Sequence, residues 1–288
     1  MEAGGTKFVC AVGRGPDELV DEIRFPTTTP AETIQRAVDF FAPRVNQLRG
    51  VGLGSFGPFD VDPSSHTYGF ITTTSKPHWS NVNILGMLQE KINLPFAVNM
   101  DVVVAGLGES TWGASKTDSR SLYLTVGTGI GGGLIVEGKP YHGLFNLEMG
   151  HIRVPHNLGI DPFPGVCPYH RDCFEGLASG PAIETRFGQR GETLPDDHPY
   201  WSVEADYIAY ALTNYILTLA PERIIVGGGI MQRDFMFSAV RRKTQKLLNG
   251  YVHHNAILHH IDQYIVPPAL GHRSGALGAI ALAMNATE

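Results

Sequence analysis

At residues 122–136 the chain reads LYLTVGTGIGGGLIV. Apolar residues typical of β-strands flank the glycine-rich segment 127–133, so the stretch predicts two strands joined by a tight turn. Residues 2–12, EAGGTKFVCAV, follow the same design, with Gly4 and Gly5 leading into an apolar run. Two such hairpins in one chain indicate an ancient duplication of two halves, not a solenoid of short repeats.

The second hairpin also matches the dinucleotide pattern G-x-G-x-x-G at Gly127, Gly129 and Gly132. That pattern binds a pyrophosphate only where the third glycine opens a helix, and here residues 134–136 continue as a strand. The turns are therefore either plain hairpins or loops whose bare backbone N–H groups bind phosphate. The second interpretation is favoured because a third glycine run, residues 227–229, follows another predicted strand.

Strands and helices alternate around these loops. Residues 29–32, TPAE, form a capping box with proline at the first helical position. Further strands are predicted at 51–54, 97–99 and 223–226, further helices at 102–112, 202–220 and 274–284, and a polar hinge at 115–119. This mixture predicts an α/β protein with mixed sheets.

Composition excludes several classes of protein. The chain has 288 residues, 43% hydrophobic and 17% charged, which suits a folded protein of one or two domains. Its net charge is −6 and its basic run is short, which argues against a nucleic-acid surface. No apolar stretch approaches the roughly 20 residues that cross a bilayer, and the first residues do not resemble a signal segment. We expect a cytoplasmic protein that binds neither nucleic acid nor membrane.

Sulfur and imidazole side chains cluster at residues 167–173, CPYHRDC. Cys167, His170 and Cys173, with His151 upstream, are ligands of the kind that zinc prefers, and four of them suit a closed tetrahedral site. The alternative is a free thiol pair beside surface histidines. Three cysteines cannot all pair, which favours a reducing compartment, and Cys10 is expected in the core.

Three such glycine loops in this order resemble the nucleotide site of the actin-like ATPases. That resemblance implies a ribonuclease H-like α/β fold of two domains with a cleft between them. Residues 148–151, EMGH, followed by the metal loop, are similar to the sugar kinases of the repressor/open-reading-frame/kinase (ROK) family. Three further segments and His170 in place of a cysteine resemble the fructokinase branch. The segments are GSFGP at 54–58, KPHW at 76–79 and PERIIV at 221–226.

The resemblance implies a domain at residues 1–116 and another at 117–272, with a last helix at 273–288 packing back on the first. It implies ATP with Mg²⁺, a structural Zn²⁺ and a homodimer. The implied nucleotide-binding residues are Gly4, Gly5, Thr6, Lys7, Gly127, Thr128, Gly129, Gly131, Gly227, Gly228, Gly229, Ser274 and Gly275.

Asp101 is the candidate general base. It lies between a predicted strand and a predicted helix, where the positive helix end should keep its carboxylate ionised. An ordinary N-cap explains the same facts, and the resemblance decides for the base, since the family's base precedes the stretch that reads AGLGE here at 105–109. The implied sugar-binding residues are Glu148, His151, Glu175, Gly57 and Pro58.

The predicted activity is that of a fructokinase, which transfers phosphate from ATP to an alcohol group to make fructose 6-phosphate. Sugar would bind in the cleft, the domains would close, and Asp101 would take the proton of the C6 hydroxyl. Met100 and Val103 stand where the family's glucokinases carry Asn, which argues against glucose. The alternatives are a kinase for mannose, glucose or an N-acetylhexosamine, and a sugar-responsive regulator, which the acidic charge and the lack of a DNA-binding segment before Glu2 disfavour.

Overall fold

The computed structural model describes residues 1–74 and 76–285. In chain order the strands are β1 Glu2–Ala3, β2 Lys7–Gly13, β3 Leu19–Pro26, β4 Val51–Ser55, β5 Phe70–Ile71, β6 Val82–Asn83, β7 Phe96–Met100, β8 Arg120–Val126, β9 Ile130–Val136, β10 Lys139–Pro140, β11 Arg223–Gly227 and β12 Ile265–Val266. The helices are α1 Pro30–Phe41, α2 Ile84–Gln89, α3 Asp101–Trp112, α4 Phe174–Ala178, α5 Gly180–Phe187, α6 Tyr200–Leu219, α7 Asp234–Leu248, α8 Asn255–Leu258, α9 Ile261–Tyr264 and α10 Ser274–Asn285.

These elements form two compact units. The first holds residues 1–117, 138–146 and 269 onward, and the second holds residues 118–137 and 147–268. Within the described ranges, no helix has both the length and the apolar character needed to cross a membrane. The last part of the predicted helix 273–288, residues 286–288, lies outside the described residues.

The first unit is built on a sheet with the order β3-β2-β1-β4-β7. Strands β1, β2 and β3 form antiparallel pairs, while β4 runs parallel to both β1 and β7. Helix α10 packs closely on β4 and α3 because glycines line the contact. A Cβ atom on Gly52 would lie 1.9 Å from the Ala279 carbonyl oxygen, and one on Gly278 would lie 1.7 Å from that of Val104. No side chain fits at these two positions.

The second unit is built on strands in the order β9-β8-β11-β12. Strands β8 and β9 form the predicted hairpin, and β11 runs parallel to both β8 and β12. The long helix α6 and helix α7 supply much of the apolar core, including the buried residues Ile208, Leu212 and Val240. This sheet holds the second glycine loop and the third glycine run at strand ends.

The predicted elements are confirmed, with small shifts at their ends. The side chain of Thr29 accepts the N–H of Glu32, as the capping box predicts. Strand β7 is longer than predicted because Met100 still pairs with Ser55 of β4. Asp101 is the first residue of α3, so it stands inside the helix that it was expected to precede.

Candidate functional site

The first glycine loop is a turn stabilised by hydrogen bonds within it and from Thr27. The N–H of Gly4 donates to the Lys7 carbonyl at 3.0 Å, and a Cβ on Gly4 would approach that oxygen to 2.7 Å. Thr27 donates its N–H to the Thr6 carbonyl at 3.0 Å and its hydroxyl to the Gly4 carbonyl at 2.6 Å. Since these carbonyls and the Gly4 N–H are already bonded, the turn has the amides of Gly5 and Thr6 and the Thr6 hydroxyl left to offer a ligand.

Glu2, directly before this turn, was not predicted as a site residue. Its Oε2 is enclosed and has no hydrogen-bond partner in the described part of the chain. Its carboxyl group lies against Gly275, where an added Cβ would be 2.4 Å from the carboxyl carbon. Burial, and secondarily the charge of Asp101, raises the pKa of Glu2 to about 7. An orphaned carboxylate oxygen beside a phosphate loop fits a bound cation such as Mg²⁺.

Asp101 lies at the start of α3, and its Oδ1 accepts the N–H of Val102 at 2.8 Å. Burial raises its pKa to about 6, while hydrogen bonds from its own amide and from Val102 act in the opposite direction. The sequence had suggested that the positive end of the helix sets the pKa of Asp101, but burial has the larger effect. With a pKa of about 6, the carboxyl group is still mainly ionised at pH 7. A carboxylate with a pKa close to neutral pH is well suited to accept a proton in catalysis.

The Gly57-Pro58 segment, joined by a cis peptide bond, reaches the end of β7. A Cβ on Gly57 would lie 3.1 Å from the Cε of Met100, the residue before Asp101. Thus the first unit brings two of the predicted sugar-binding residues next to the end of β7, directly before the predicted base Asp101.

Residues 138–146 also belong to the first unit, together with the Gly57-Pro58 segment and the end of β7. The amide of Asn146 donates to the Phe59 carbonyl at 2.9 Å, and the side chains of Asn99 and His142 meet at 3.3 Å. Sequence reasoning missed this segment because it follows β9 in the chain, and β9 belongs to the other unit.

Buried Glu109 organises the contact between α3 and the start of α10. Its carboxylate accepts three backbone N–H groups, from Ala114 at 2.8 Å, from Ala269 at 3.0 Å and from Leu270 at 2.9 Å. It also accepts the hydroxyl of Ser274 at 2.7 Å. The Ser274 side chain, a predicted nucleotide contact, is therefore engaged in this internal network, while its neighbour Gly275 faces Glu2.

The second glycine loop has different supports. The N–H of Gly127 donates to the Gly129 carbonyl at 3.0 Å, and Gly180, the first residue of α5, donates to the Gly127 carbonyl at 2.7 Å. The carboxylate of Glu175 accepts the N–H of Ile130 at 2.8 Å. Thr128, at the tip, is exposed.

The third glycine run packs against this loop. Gly228 has a φ of 93°, and a Cβ there would lie 2.2 Å from the Val126 carbonyl oxygen. A Cβ on Gly127 would lie 3.6 Å from the nitrogen of Gly229. The predicted nucleotide residues of the second unit thus lie at strand ends on both sides of β8, where Gly131 of β9 and Gly227 of β11 both pair with Thr125.

The predicted metal ligands converge in the second unit. His151, Cys167, His170 and Cys173 each offer a ligand atom, and these atoms all lie within 4.8 Å of one another. The Nδ1 of His151 is 3.7 Å from the Cys167 sulfur and 3.5 Å from the Cys173 sulfur. A tetrahedral zinc ion would hold sulfur and nitrogen ligands roughly 3.5 Å apart. The cluster therefore fits a tetrahedral ion, and it is the one such cluster found among the described residues.

His151 links this cluster to two carboxylates. Its Nδ1 faces the sulfurs, while its Nε2 is 4.0 Å from the Glu175 Oε1. Partial burial is the main cause that raises the pKa of Glu148. The charge of His151 acts to lower this pKa, and the charge of Glu175 acts to raise it. The predicted sugar ligands Glu148, His151 and Glu175 thus share one electrostatic neighbourhood, and Glu175 also supports the glycine loop.

A buried ion pair anchors the chain before the metal loop. Arg186 donates to Asp161 at 2.9 Å, and the hydroxyl of Tyr207 reaches the same carboxylate at 2.7 Å. The ring of His156 connects the Asp161 carbonyl, 2.9 Å away, to the carboxylate of Asp172, 3.6 Å away. This chain of contacts holds the metal loop through Asp172, and no local pattern in the sequence indicates it.

Comparison with known proteins gives consistent results. The sequence matches the model of the ROK family over residues 1–286. It is 46% identical to the putative fructokinase of Bacillus subtilis (strain 168), with 100% of this chain and 95% of the relative covered. It is 42% identical to the fructokinase of Pediococcus pentosaceus, with 100% and 98% covered.

Solved structures agree on the fold. The ROK hexokinase from Thermus thermophilus superimposes with a TM-score of 0.78 at 23% identity, over 99% of this chain and 96% of that one. This likeness confirms the predicted two-domain α/β fold of the actin-like type. Because the family model spans nearly all of the sequence and both relatives exceed 40% identity over its full length, this chain belongs to the ROK family.

Proposed function

We propose that the protein is an ATP-dependent fructokinase that makes fructose 6-phosphate. Relatives that carry the name fructokinase, at 42–46% identity over the full chain, support the choice of sugar. The observation that carries the chemistry is the partly buried carboxylate of Asp101, whose pKa is raised to about 6, beside Glu2 and the bare turn that follows it.

In the proposed reaction Asp101 accepts the proton of the C6 hydroxyl as that oxygen attacks the γ-phosphorus of ATP. The bond from the γ-phosphorus to the bridging oxygen breaks, and ADP leaves with the electron pair. The amides of each glycine loop are the proposed donors to phosphate oxygens, and residues 227–229 and 274–275 are the proposed contacts of the adenosine. Mg²⁺, when bound, neutralises charge on the β- and γ-phosphates, and Glu2 is the residue whose orphaned oxygen would hold it.

The sugar is oriented by hydrogen bonds from its hydroxyl groups to Glu148, His151 and Glu175. His151 directs Nδ1 to the sulfurs, which leaves Nε2 to bond a hydroxyl. The metal would thus set the angle of a sugar-binding ring, as outer ligands commonly do in metal sites.

The metal is proposed to be a structural Zn²⁺ with four protein ligands. The mixed thiolate and imidazole donors and their sulfur–nitrogen distances of 3.5–3.7 Å support zinc over magnesium, which prefers oxygen. Elemental analysis of the purified protein should find about one zinc per chain. Folded, active protein without zinc would refute this part of the proposal.

The test of the activity is a coupled ADP-release assay with ATP across a panel of hexoses. We expect the highest kcat/KM with fructose. A higher value with mannose, glucose or an N-acetylhexosamine would identify another sugar kinase, and sugar binding without ADP release would identify a sugar-responsive regulator. The homodimer implied by the family resemblance is tested separately by light scattering of the full chain.

A further inference from the structure

One contact of the first unit has no role in the proposed function so far. The side chain of His142 meets that of Asn99 at the end of β7, with 3.3 Å between its Nε2 and the Asn99 Nδ2. Asn99 lies two residues before Asp101 and is only 3% exposed, whereas His142 is exposed. A buried strand end therefore holds one side of an imidazole whose other side faces outward.

The hydrogen bonds of Asn99 determine which ring nitrogen carries the proton. The Oδ1 of Asn99 accepts the N–H of Met100 at 2.9 Å, so the amide oxygen is oriented by a backbone donor. The Nδ2 of Asn99 is then a donor toward His142, and Nε2 of His142 must accept. The neutral ring carries its proton on Nδ1, which is left as a hydrogen-bond donor.

Contacts of the neighbouring residues place the His142 segment close to the predicted sugar-binding residues of the first unit. The segment of His142 is tied at its other end to the Gly57–Phe59 loop, because Asn146 donates to the Phe59 carbonyl at 2.9 Å. Met100, between Asn99 and Asp101, has no polar hydrogen in its side chain and packs toward Gly57. A neutral donor at His142 would serve a sugar hydroxyl without adding charge near the base.

We propose that His142 is a sugar-positioning residue, held by Asn99 and donating a hydrogen bond from Nδ1 to a hydroxyl of the ketohexose bound beside Asp101. The inference rests on the proposed function. It differs from a purely structural role, in which His142 would only satisfy the buried amide of Asn99.

Two substitutions separate these roles because each keeps one side of the ring. His142→Asn keeps a donor near the position of Nδ1 and loses the acceptor for Asn99. His142→Gln keeps a polar group near the position of Nε2 and loses the outer donor. A sugar-positioning role predicts that His142→Gln raises the KM for fructose on the order of tenfold, the size of one lost hydrogen bond, with the KM for ATP and the melting temperature unchanged. His142→Asn should raise it less.

The control is His259→Asn, an exposed histidine of the second unit that should leave every constant unchanged. If His142→Asn raises the KM for fructose and His142→Gln leaves it at the wild-type value, His142 serves only to hold the Asn99 side chain. That result would overturn the proposal. Equal KM values for all variants would overturn it as well. If the wild-type protein turns over no fructose with ATP, the proposed function fails, and this inference fails with it.

Discussion

The two glycine loops share a backbone design but differ in what stands behind them. The first follows an acid, Glu2, whose Oε2 has no partner among the described residues. The second also has an acid, Glu175, but this carboxylate is occupied by the N–H of Ile130 and lies 4.0 Å from His151 of the metal cluster. An unsatisfied carboxylate is available to a cation, whereas a satisfied one serves as support. The two hairpins thus have different partners, and substitutions can test whether their tasks differ as well.

The largest effect is expected from Asp101→Asn, which removes the proposed base from the first unit. General-base catalysis typically contributes 10²–10⁴-fold, so kcat should fall by roughly 10³-fold. Folding should be retained, because the substitution replaces a carboxylate whose pKa is already raised by burial. Turnover is measured by ADP release and folding by thermal melting. Turnover within tenfold of wild type would rule out Asp101 as the base.

A matched pair, Glu2→Gln and Glu175→Gln, compares the acids of the two loops directly. Glu2→Gln should raise the Mg²⁺ concentration for half-maximal activity by roughly tenfold or more, because it removes the orphaned carboxylate oxygen. Glu175→Gln should leave the Mg²⁺ requirement unchanged and raise the KM for fructose instead. Titrations of Mg²⁺ at saturating fructose measure the first effect. An equal shift for both variants would show that the loops do not differ in this respect.

The second unit alone should depend on the metal cluster. Cys173→Ser is expected to lose zinc, lower the melting temperature by several degrees and raise the KM for fructose, since the variant removes a buried ligand. The exposed His260, outside the cluster, offers the control variant His260→Ala. Zinc content, melting curves and kinetics are measured on the same preparations. Full zinc content in Cys173→Ser would contradict the ligand assignment.

The smallest and most gradual effect is the pH dependence of the first unit. The activity should decline below about pH 6, because Asp101 must be ionised to accept a proton. The contribution of Asp101 to the stability of the fold has the opposite pH dependence. Burial raises the pKa from 3.8 to about 6, so the folded state binds the proton more tightly, and this contribution declines as the pH rises through that interval. Comparison of pH–rate and pH–melting profiles with those of Asp101→Asn checks both signs.

Several features were predictable because they are encoded within a few neighbouring residues. The hairpin turns, the capping box at Thr29 and the strand-to-helix junction at Asp101 depend on local backbone preferences. Three of the predicted metal ligands lie within seven consecutive residues, 167–173, and their ligand atoms converge as the spacing suggests. Their roles in the reaction remain predictions.

Other features depend on side chains that are distant in the chain. His142 and Asn99 are 43 positions apart, and Glu109 binds groups that are 160 or more positions away. The raised pKa of Asp101 could not be predicted from the local sequence either, because desolvation depends on what the fold packs around the carboxylate.

The sequence alone therefore determined the order of strands and helices, the glycine turns and the proposed metal-binding motif. Only the tertiary structure decided that Glu2 has an orphaned oxygen, that Glu175 supports a loop, and that residues 138–146 join the first unit. The physical reason is that turn geometry and ligand spacing arise from interactions between near neighbours, whereas burial and long-range hydrogen bonds exist only once the whole unit has packed.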